Sequence, residues 1–260
     1  MDKLIVVKIG GNLIDDPTAL QSFLKSFAAV PGRKLLVHGG GKLATELAGK
    51  LNLPQQMIDG RRITDVETLK VVTMVYAGLI NKTIVASLQS FGTNALGLTG
   101  ADGNCIHAHK RTGAVDFGFA GDVDEVNAGF FKQLLHAGCT PVLAPITHDR
   151  MGQLLNTNAD TIAQEVAVAL SSNFQVDLIY CFEKEGVLLQ AQDDASTIPV
   201  LQKHQFEELK ASGAIFAGMI PKLDNAFNAI RSGVANVIIG NGARLEQLLD
   251  GTSGTRIINE

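Results

Sequence analysis

The sequence predicts an α/β fold with a mainly parallel sheet covered by helices on both faces. Short apolar, β-branched segments alternate with periodic segments of helical length along the 260 residues. The first of them, Leu4-Ile5-Val6-Val7-Lys8-Ile9, is an almost continuous apolar run closed by Gly10-Gly11, which marks a strand buried on both faces. Hydrophobic residues make up 46% of the chain and charged residues 18%, enough for one large α/β domain or two closely fused lobes.

The elements follow in order. Residues 4–9 form a strand and residues 16–30, with helical periodicity, a helix. Residues 34–38 form a second strand, and 42–51 a helix after Gly39-Gly40-Gly41. Residues 67–90 predict a long helix with a break near Gly78, because an interior glycine weakens a helix. Residues 94–98 form a strand, and 105–122, rich in Gly and Thr with short apolar patches, predict β-hairpins. A helix at 128–137 leads to a strand at 140–146, and a helix at 159–170 to a strand at 177–182. Helices at 203–212 and 219–232 and strands at 236–239 and 255–258 complete the pattern. No linker or internal repeat interrupts it. Residues 1–260 are read as a single domain, with a lobe boundary near 149–152 that separates lobes 1–150 and 151–260.

Composition excludes several classes. Net charge is −4 and no basic stretch follows a nucleic-acid backbone, so any affinity for phosphate is local. Cys105, Cys139 and Cys181 are scattered and form no CxxC pair, which predicts reduced core thiols and a cytoplasmic setting. The N-terminus is no signal peptide, and no apolar run approaches the ~20 residues that span a bilayer.

Lys8 is the most informative residue. An ammonium in a buried strand loses hydration unless an anion compensates. A phosphate at the carboxyl end of the strand would do so; alternatively Lys8 snorkels to water. Gly10-Gly11 and Gly39-Gly40-Gly41 each follow a strand and precede a helix, a setting where backbone N–H groups can cradle an oxyanion. Gly39-Gly40-Gly41-Lys42-Leu43 is not a Walker A loop, and no strand is followed by a full GxGxxG.

Asn156-Thr157-Asn158-Ala159-Asp160 opens an apolar helix. Thr157 or Asn158 suits the N-cap and Asp160 the first turn, yet the polar residues exceed what one cap needs. Gly60-Arg61-Arg62-Ile63-Thr64 is a basic loop in an acidic protein, suited to a carboxylate or phosphate or simply solvated. In Gly218-Met219-Ile220-Pro221-Lys222, Pro221 fits a first helical turn, whereas Lys222 opposes the dipole and makes sense facing a ligand. The histidines lack metal-ligand spacing, so no protein metal site is expected. His38 reads as packed or hydrogen-bonded, not as a base.

These motifs, in register along the whole chain and followed by Gly254-Thr255-Arg256-Ile257, resemble the amino-acid kinase family in its acylglutamate branch. The resemblance implies a three-layer αβα sandwich around a mainly parallel sheet. It implies an acylglutamate-binding amino-terminal lobe, a nucleotide-binding carboxyl-terminal lobe, and ATP with Mg²⁺ as donor. Carried over by motif, Lys8 and Lys222 would contact the transferring phosphoryl group, with Asp160 holding both lysines. Gly10 and Gly11 would bind phosphate, Gly40 and Gly41 the phosphate and acceptor carboxylate, Arg62 the α-carboxylate, and Asn156 the acyl-amino portion. The implied reaction phosphorylates the γ-carboxylate of an N-acyl-L-glutamate such as N-acetyl-L-glutamate. N-succinylglutamate, another carboxylate acceptor, or a non-catalytic sensor on the same fold are the alternatives.

One stretch departs from the family pattern. Phe182-Glu183-Lys184-Glu185 places Glu183 where Asp is usual and Lys184 where an apolar residue is, which touches the expected adenine and ribose contacts. Ile215-Phe216-Ala217 would lie close to the nucleotide. Only Met1-Asp2-Lys3 precede the first strand, whereas arginine-inhibited members carry an extra amino-terminal helix that links dimers. The expectation is a homodimer, joined through residues 67–90 and insensitive to arginine, with no nucleic-acid or membrane partner.

Overall fold

Strand β1 (Lys3–Ile9) is flanked on both sides because every residue after Lys3 is buried. It leads through Gly10 into a short helix α1 (Gly11–Asp15), then α2 (Pro17–Ala29), whose N-cap Asp16 accepts from Thr18 and Ala19 N–H. Strand β2 (Arg33–His38), helix α3 (Gly41–Lys50) and a two-residue hairpin of β3 (Met57–Ile58) and β4 (Arg61–Arg62) follow. The computed structural model describes residues 1–58, 60–190, 193–215 and 219–259.

Helix α4 (Val66–Thr73) passes without a break through a π-helical segment, Met74–Ile80, into α5 (Asn81–Ser90). The expected break near Gly78 is therefore corrected. Gly78 lies on the exposed side, and buried Val75, Tyr76 and Ile80 hold the segment against the core. The Val66–Ser90 helix is also long and apolar enough on average to cross a membrane, although polar residues interrupt it and, as expected, it holds no apolar run near ~20 residues. Half of its most apolar window is buried inside the protein, so it is a core helix.

Strands β5 (Ala95–Leu98), β6 (Ile106–Lys110) and β7 (Ala120–Val126) precede α6 (Ala128–His136). The single strand expected at 140–146 is two, β8 (Thr140–Leu143) and β9 (Ile146–His148), interrupted at Pro145, which has no N–H for the ladder. After β10 (Leu154–Thr157) come α7 (Ala159–Ser171), β11 (Gln175–Phe182), β12 (Val200–Gln202), α8 (Lys203–Ala211), α9 (Ile220–Arg231), β13 (Asn236–Asn241), α10 (Leu245–Leu249) and β14 (Thr255–Ile258).

The main sheet has eight strands in the order β12-β14-β13-β11-β1-β2-β8-β5. All neighbours are parallel except β13 and β14. Two apolar cores cover its faces. Leu4 and Val6 of β1 pack in one, with α7, α9 and Tyr180. Ile5, Val7 and Ile9 pack in the other, with α2 and α4–α5. The α/β fold with a mainly parallel sheet layered between helices is thus as expected. Apart from the β3–β4 hairpin, the other strands, β10-β7-β6-β9, close on themselves.

Candidate active site

Strand alternation places Lys8 on the Leu4–Val6 face, beside Val37 of β2 and Tyr180 of β11. Helix α7 packs on that face. Its N-cap is Asn158, whose Oδ1 accepts from the N–H groups of Asp160 and Thr161 at 2.8 and 3.1 Å, so Asn158, not Thr157, caps it. This cap turns Asp160 inward. Lys8 Nζ lies 2.5 Å from Asp160 Oδ1, a charge contact without good hydrogen-bond alignment. Lys222, in the first turn of α9, donates to Asp160 Oδ2 at 2.6 Å. Tyr180 Oη donates to the Asp160 carbonyl at 3.1 Å.

Lys8 therefore does not snorkel; its side chain is 8% exposed, against 27% for Lys222. Burial pushes the Lys8 ammonium below its usual range, and Asp160 opposes that shift while Lys222 adds to it. Burial alone would raise Asp160, but the two ammonium groups hold its carboxyl well below the usual carboxylate range. Two cations on one buried anion leave an excess positive charge, which a phosphoryl group would neutralise.

The glycine loops meet this charge. Gly10 has φ −89 and ψ 175, a conformation open to any residue. A Cβ there would meet nothing nearer than 3.8 Å, and it would sit 3.9 Å from Lys8 Nζ. Neither strain nor packing demands glycine at this position; a side chain would fill the space beside the ammonium. Gly40 differs. Its φ of 149 and a Cβ only 2.3 Å from Ile80 Cδ1 demand glycine, and this lets the helix Val66–Ser90 press on the loop.

Two cavities flank the lysine pair. One, of about 200 Å³, is lined by Gly40, Gly41, Arg62 and Asn156, and also by Tyr76 and Arg111. Arg62 is buried. Its Nη2 donates to the Gly41 carbonyl and Thr45 Oγ1, both at 2.8 Å, and its Nη1 to Gln55 Oε1. Asn156 Nδ2 donates to Thr64 Oγ1 at 3.0 Å. Arg111 pairs with Asp122; the hydrogen bonds from Arg111 keep that carboxyl below its ordinary range. The other cavity, of about 430 Å³, is lined by Lys8, Gly10, Gly11 and Lys222, together with the Glu183–Lys184 stretch and Ile215. Phe216, Ala217 and Gly218 lie outside the described residues.

The predicted residues thus divide in space. Gly40, Gly41, Arg62 and Asn156 line the first cavity, Lys8, Lys222, Gly10 and Gly11 the second, and Asp160 bridges the lysines. Sequence reasoning missed Tyr76 and Arg111. The only local signal for Tyr76 is a phenol inside an apolar helix, and Arg111 is brought in by non-local strand pairing of β6 with β7. Among the described residues no cluster of His, Cys, Asp or Glu could hold a metal.

His38 stands behind the glycine triplet, fully buried. Its Nδ1 and the Gly39 carbonyl are 2.8 Å apart, and its Nε2 is 3.2 Å from Asn81 Nδ2, which also donates to the Val142 carbonyl. Asn81 donates, so Nε2 accepts and Nδ1–H donates. Burial pushes the ring down from 6.5 to about 4 despite the Gly39 carbonyl. A base with a depressed folded value favours the native state above its unfolded value, and that stability is lost as pH falls from 6.5 toward 4. Between pH 7 and pH 5 the His38 contribution should fall by roughly 2 kcal/mol. Urea midpoints at the two pH values should converge in His38→Gln; an equal drop in variant and native protein would show that His38 is not responsible.

Residues 3–241 match the model of the amino acid kinase family. Over 99% of both chains, the protein is 55% identical to a Cytophaga hutchinsonii protein named acetylglutamate kinase. It is 54% identical to a Parabacteroides distasonis protein of the same name, over 99% of this chain and 100% of that one. A crystal structure from Streptococcus mutans superposes with a TM-score of 0.82 at 28% identity, over 99% of each chain. N-acetylglutamate synthase from Neisseria gonorrhoeae, with coenzyme A and N-acetyl-glutamate, shares the fold at a TM-score of 0.83 and 21% identity, over 99% of this chain and 59% of that one. Sequence and fold agree: the chain belongs to the amino acid kinase family.

Proposed function

We propose that this protein transfers the γ-phosphoryl group of MgATP to the γ-carboxylate of N-acetyl-L-glutamate, forming N-acetyl-L-glutamyl 5-phosphate in arginine biosynthesis. The observation that carries this reading is the Lys8–Asp160–Lys222 unit, set between two cavities at the carboxyl edge of the sheet. The near-identity in length to relatives named acetylglutamate kinase supports the acceptor. A carboxylate is already a deprotonated nucleophile, so the reaction needs no general base. It needs two anions held in line and their charge neutralised. Lys8 and Lys222 supply the cations, and the N–H groups of Gly11, Gly40 and Gly41 the oxyanion contacts. Asp160 positions the lysines. Magnesium arrives with the nucleotide as part of the substrate, held chiefly by its phosphates.

Purified protein with MgATP and N-acetyl-L-glutamate should give an acyl phosphate that hydroxylamine traps as a hydroxamate. Absence of product with every acylated and free amino-acid acceptor would refute the kinase reading. One observation favours a second acyl group, N-succinyl: besides Arg62 and the Asp122-paired Arg111, the acceptor cavity is lined by Arg61, a further guanidinium that a second carboxylate could meet. The same assay with both acceptors ranks them by kcat/KM.

Arg62 is the proposed clamp for the α-carboxylate. Lysine cannot reproduce a planar fork, so Arg62→Lys should raise KM for the acylglutamate roughly 10- to 100-fold, as expected for a lost charged hydrogen bond. An unchanged KM would leave Arg62 as only a brace for the Gly41 turn.

The two lobes are assigned as chiefly acylglutamate-binding (1–150) and chiefly nucleotide-binding (151–260), with Asn156 contributed to the acceptor cavity and Lys8, Gly10 and Gly11 to the donor cavity across that boundary, in one cytoplasmic enzyme. Exposed Val66, Met74 and Leu79 on the long helix support a homodimer through that face. A monomer mass by light scattering would refute the dimer.

A further inference from the structure

We propose that Lys184 binds the polyphosphate of the donor nucleotide, outside the group that is transferred. The inference rests on the donor-cavity reading above. Three features carry it. Lys184 lines the same cavity as Lys8, Lys222, Gly10 and Gly11, and it is half-buried there. Among the described residues it has no carboxylate within the 4.0 Å of an ion pair and no hydrogen-bond acceptor for its ammonium. Its acidic neighbours do not serve it. Glu185 is turned away, accepting from Asn241 Nδ2 at 2.9 Å and pairing with Arg244 Nη1 at 3.0 Å, and Glu183 is exposed.

That clamp fixes the turn after β11. The end of β11 lies beside the end of β1, where the Gly10 N–H donates to the Cys181 carbonyl at 3.2 Å. Lys184, three residues beyond Cys181, is therefore held at the same edge as the glycine loop. Lys8 and Lys222 share Asp160, and both are assigned above to the group that is transferred. A nucleoside triphosphate carries two more phosphates. Among the described residues lining the cavity, Lys184 is the cation left without a partner to meet them, and a lysine ammonium suits a phosphate as a compact point charge.

The test is titration of the intact protein with ADP by calorimetry, comparing native protein with Lys184→Met and Lys184→Arg. Loss of one charge-assisted contact should weaken ADP about tenfold in Lys184→Met. Lys184→Arg, which keeps the charge, should stay within about threefold of native. The inhibition constant of adenosine and KM for the acylglutamate should not move in either variant. Lys184→Met that binds ADP as tightly as native protein overturns the proposal, and so does an equal loss of adenosine, which would mean general damage to the cavity. Native protein that takes up no ADP overturns the donor-cavity reading, and this assignment with it.

Discussion

Lys8→Ala and Lys222→Ala should each lower kcat by roughly 10²–10³-fold, ~3–4 kcal/mol, with little change in KM for the acylglutamate. The reason is where the charge develops. As the phosphoryl group moves from nucleotide to carboxylate, negative charge collects between the two, and the two ammonium groups converge there from separate elements, β1 and α9. Contacts that strengthen only in the transition state appear in kcat, not in substrate affinity. The two variants should differ in detail. Lys8 is nearly sealed from water, and its loss leaves Asp160 with one partner in a dry setting; Lys222 is more open, so water can partly replace it. Lys8→Ala should be the slower enzyme. Steady-state kinetics check this, and near-normal turnover in either variant would end the two-lysine mechanism.

How much of this was legible before the structure follows from what is local. Lys8 announced itself because charge inside an apolar strand is a local contradiction. Lys222 did so because a cation opposed the helix dipole, and Asp160 because one cap cannot use so many polar residues. Each is a conflict visible within a few residues, and each turned out to be one part of the same ion-pair unit. Pairing was not legible. The closed set of strands β10-β7-β6-β9 is built from short, half-polar segments, and its partners lie far apart in sequence. Arg111 enters the acceptor cavity only through that pairing. The long helix was misjudged at Gly78 because glycine's local cost was weighed without the buried Tyr76 and Ile80 that offset it. Both tyrosines of the chain, Tyr76 and Tyr180, stand at the site, one at the Gly40 turn and the other on the Asp160 carbonyl, yet neither is marked by its neighbours in sequence.

Asp160→Asn should destabilise the folded protein by about 3–5 kcal/mol, the usual consequence of removing one member of a buried ion pair. Asparagine keeps the shape of the side chain but leaves two ammonium groups facing each other without their anion. Two further consequences separate this from a generic packing defect. First, MgATP should raise the melting temperature more in the variant than in native protein, because the bound phosphates restore the missing negative charge. Second, the pH dependence should change in a fixed direction. Burial and Lys222 already push Lys8 below its ordinary 10.5, and Asp160 is what opposes them. Without Asp160 the folded-state value drops further. An unfolded Lys8 then binds more protons than a folded one from that lower value up to 10.5, so stability must rise with pH across this window. Denaturant midpoints at pH 7 and pH 9.5 measure it. The variant should gain stability relative to native protein at the higher pH, as Lys8 gives up its proton and the repulsion with Lys222 disappears. A variant with native stability at pH 7, or one whose deficit is the same at both pH values, would mean that Asp160 does not hold two charged lysines in the resting enzyme.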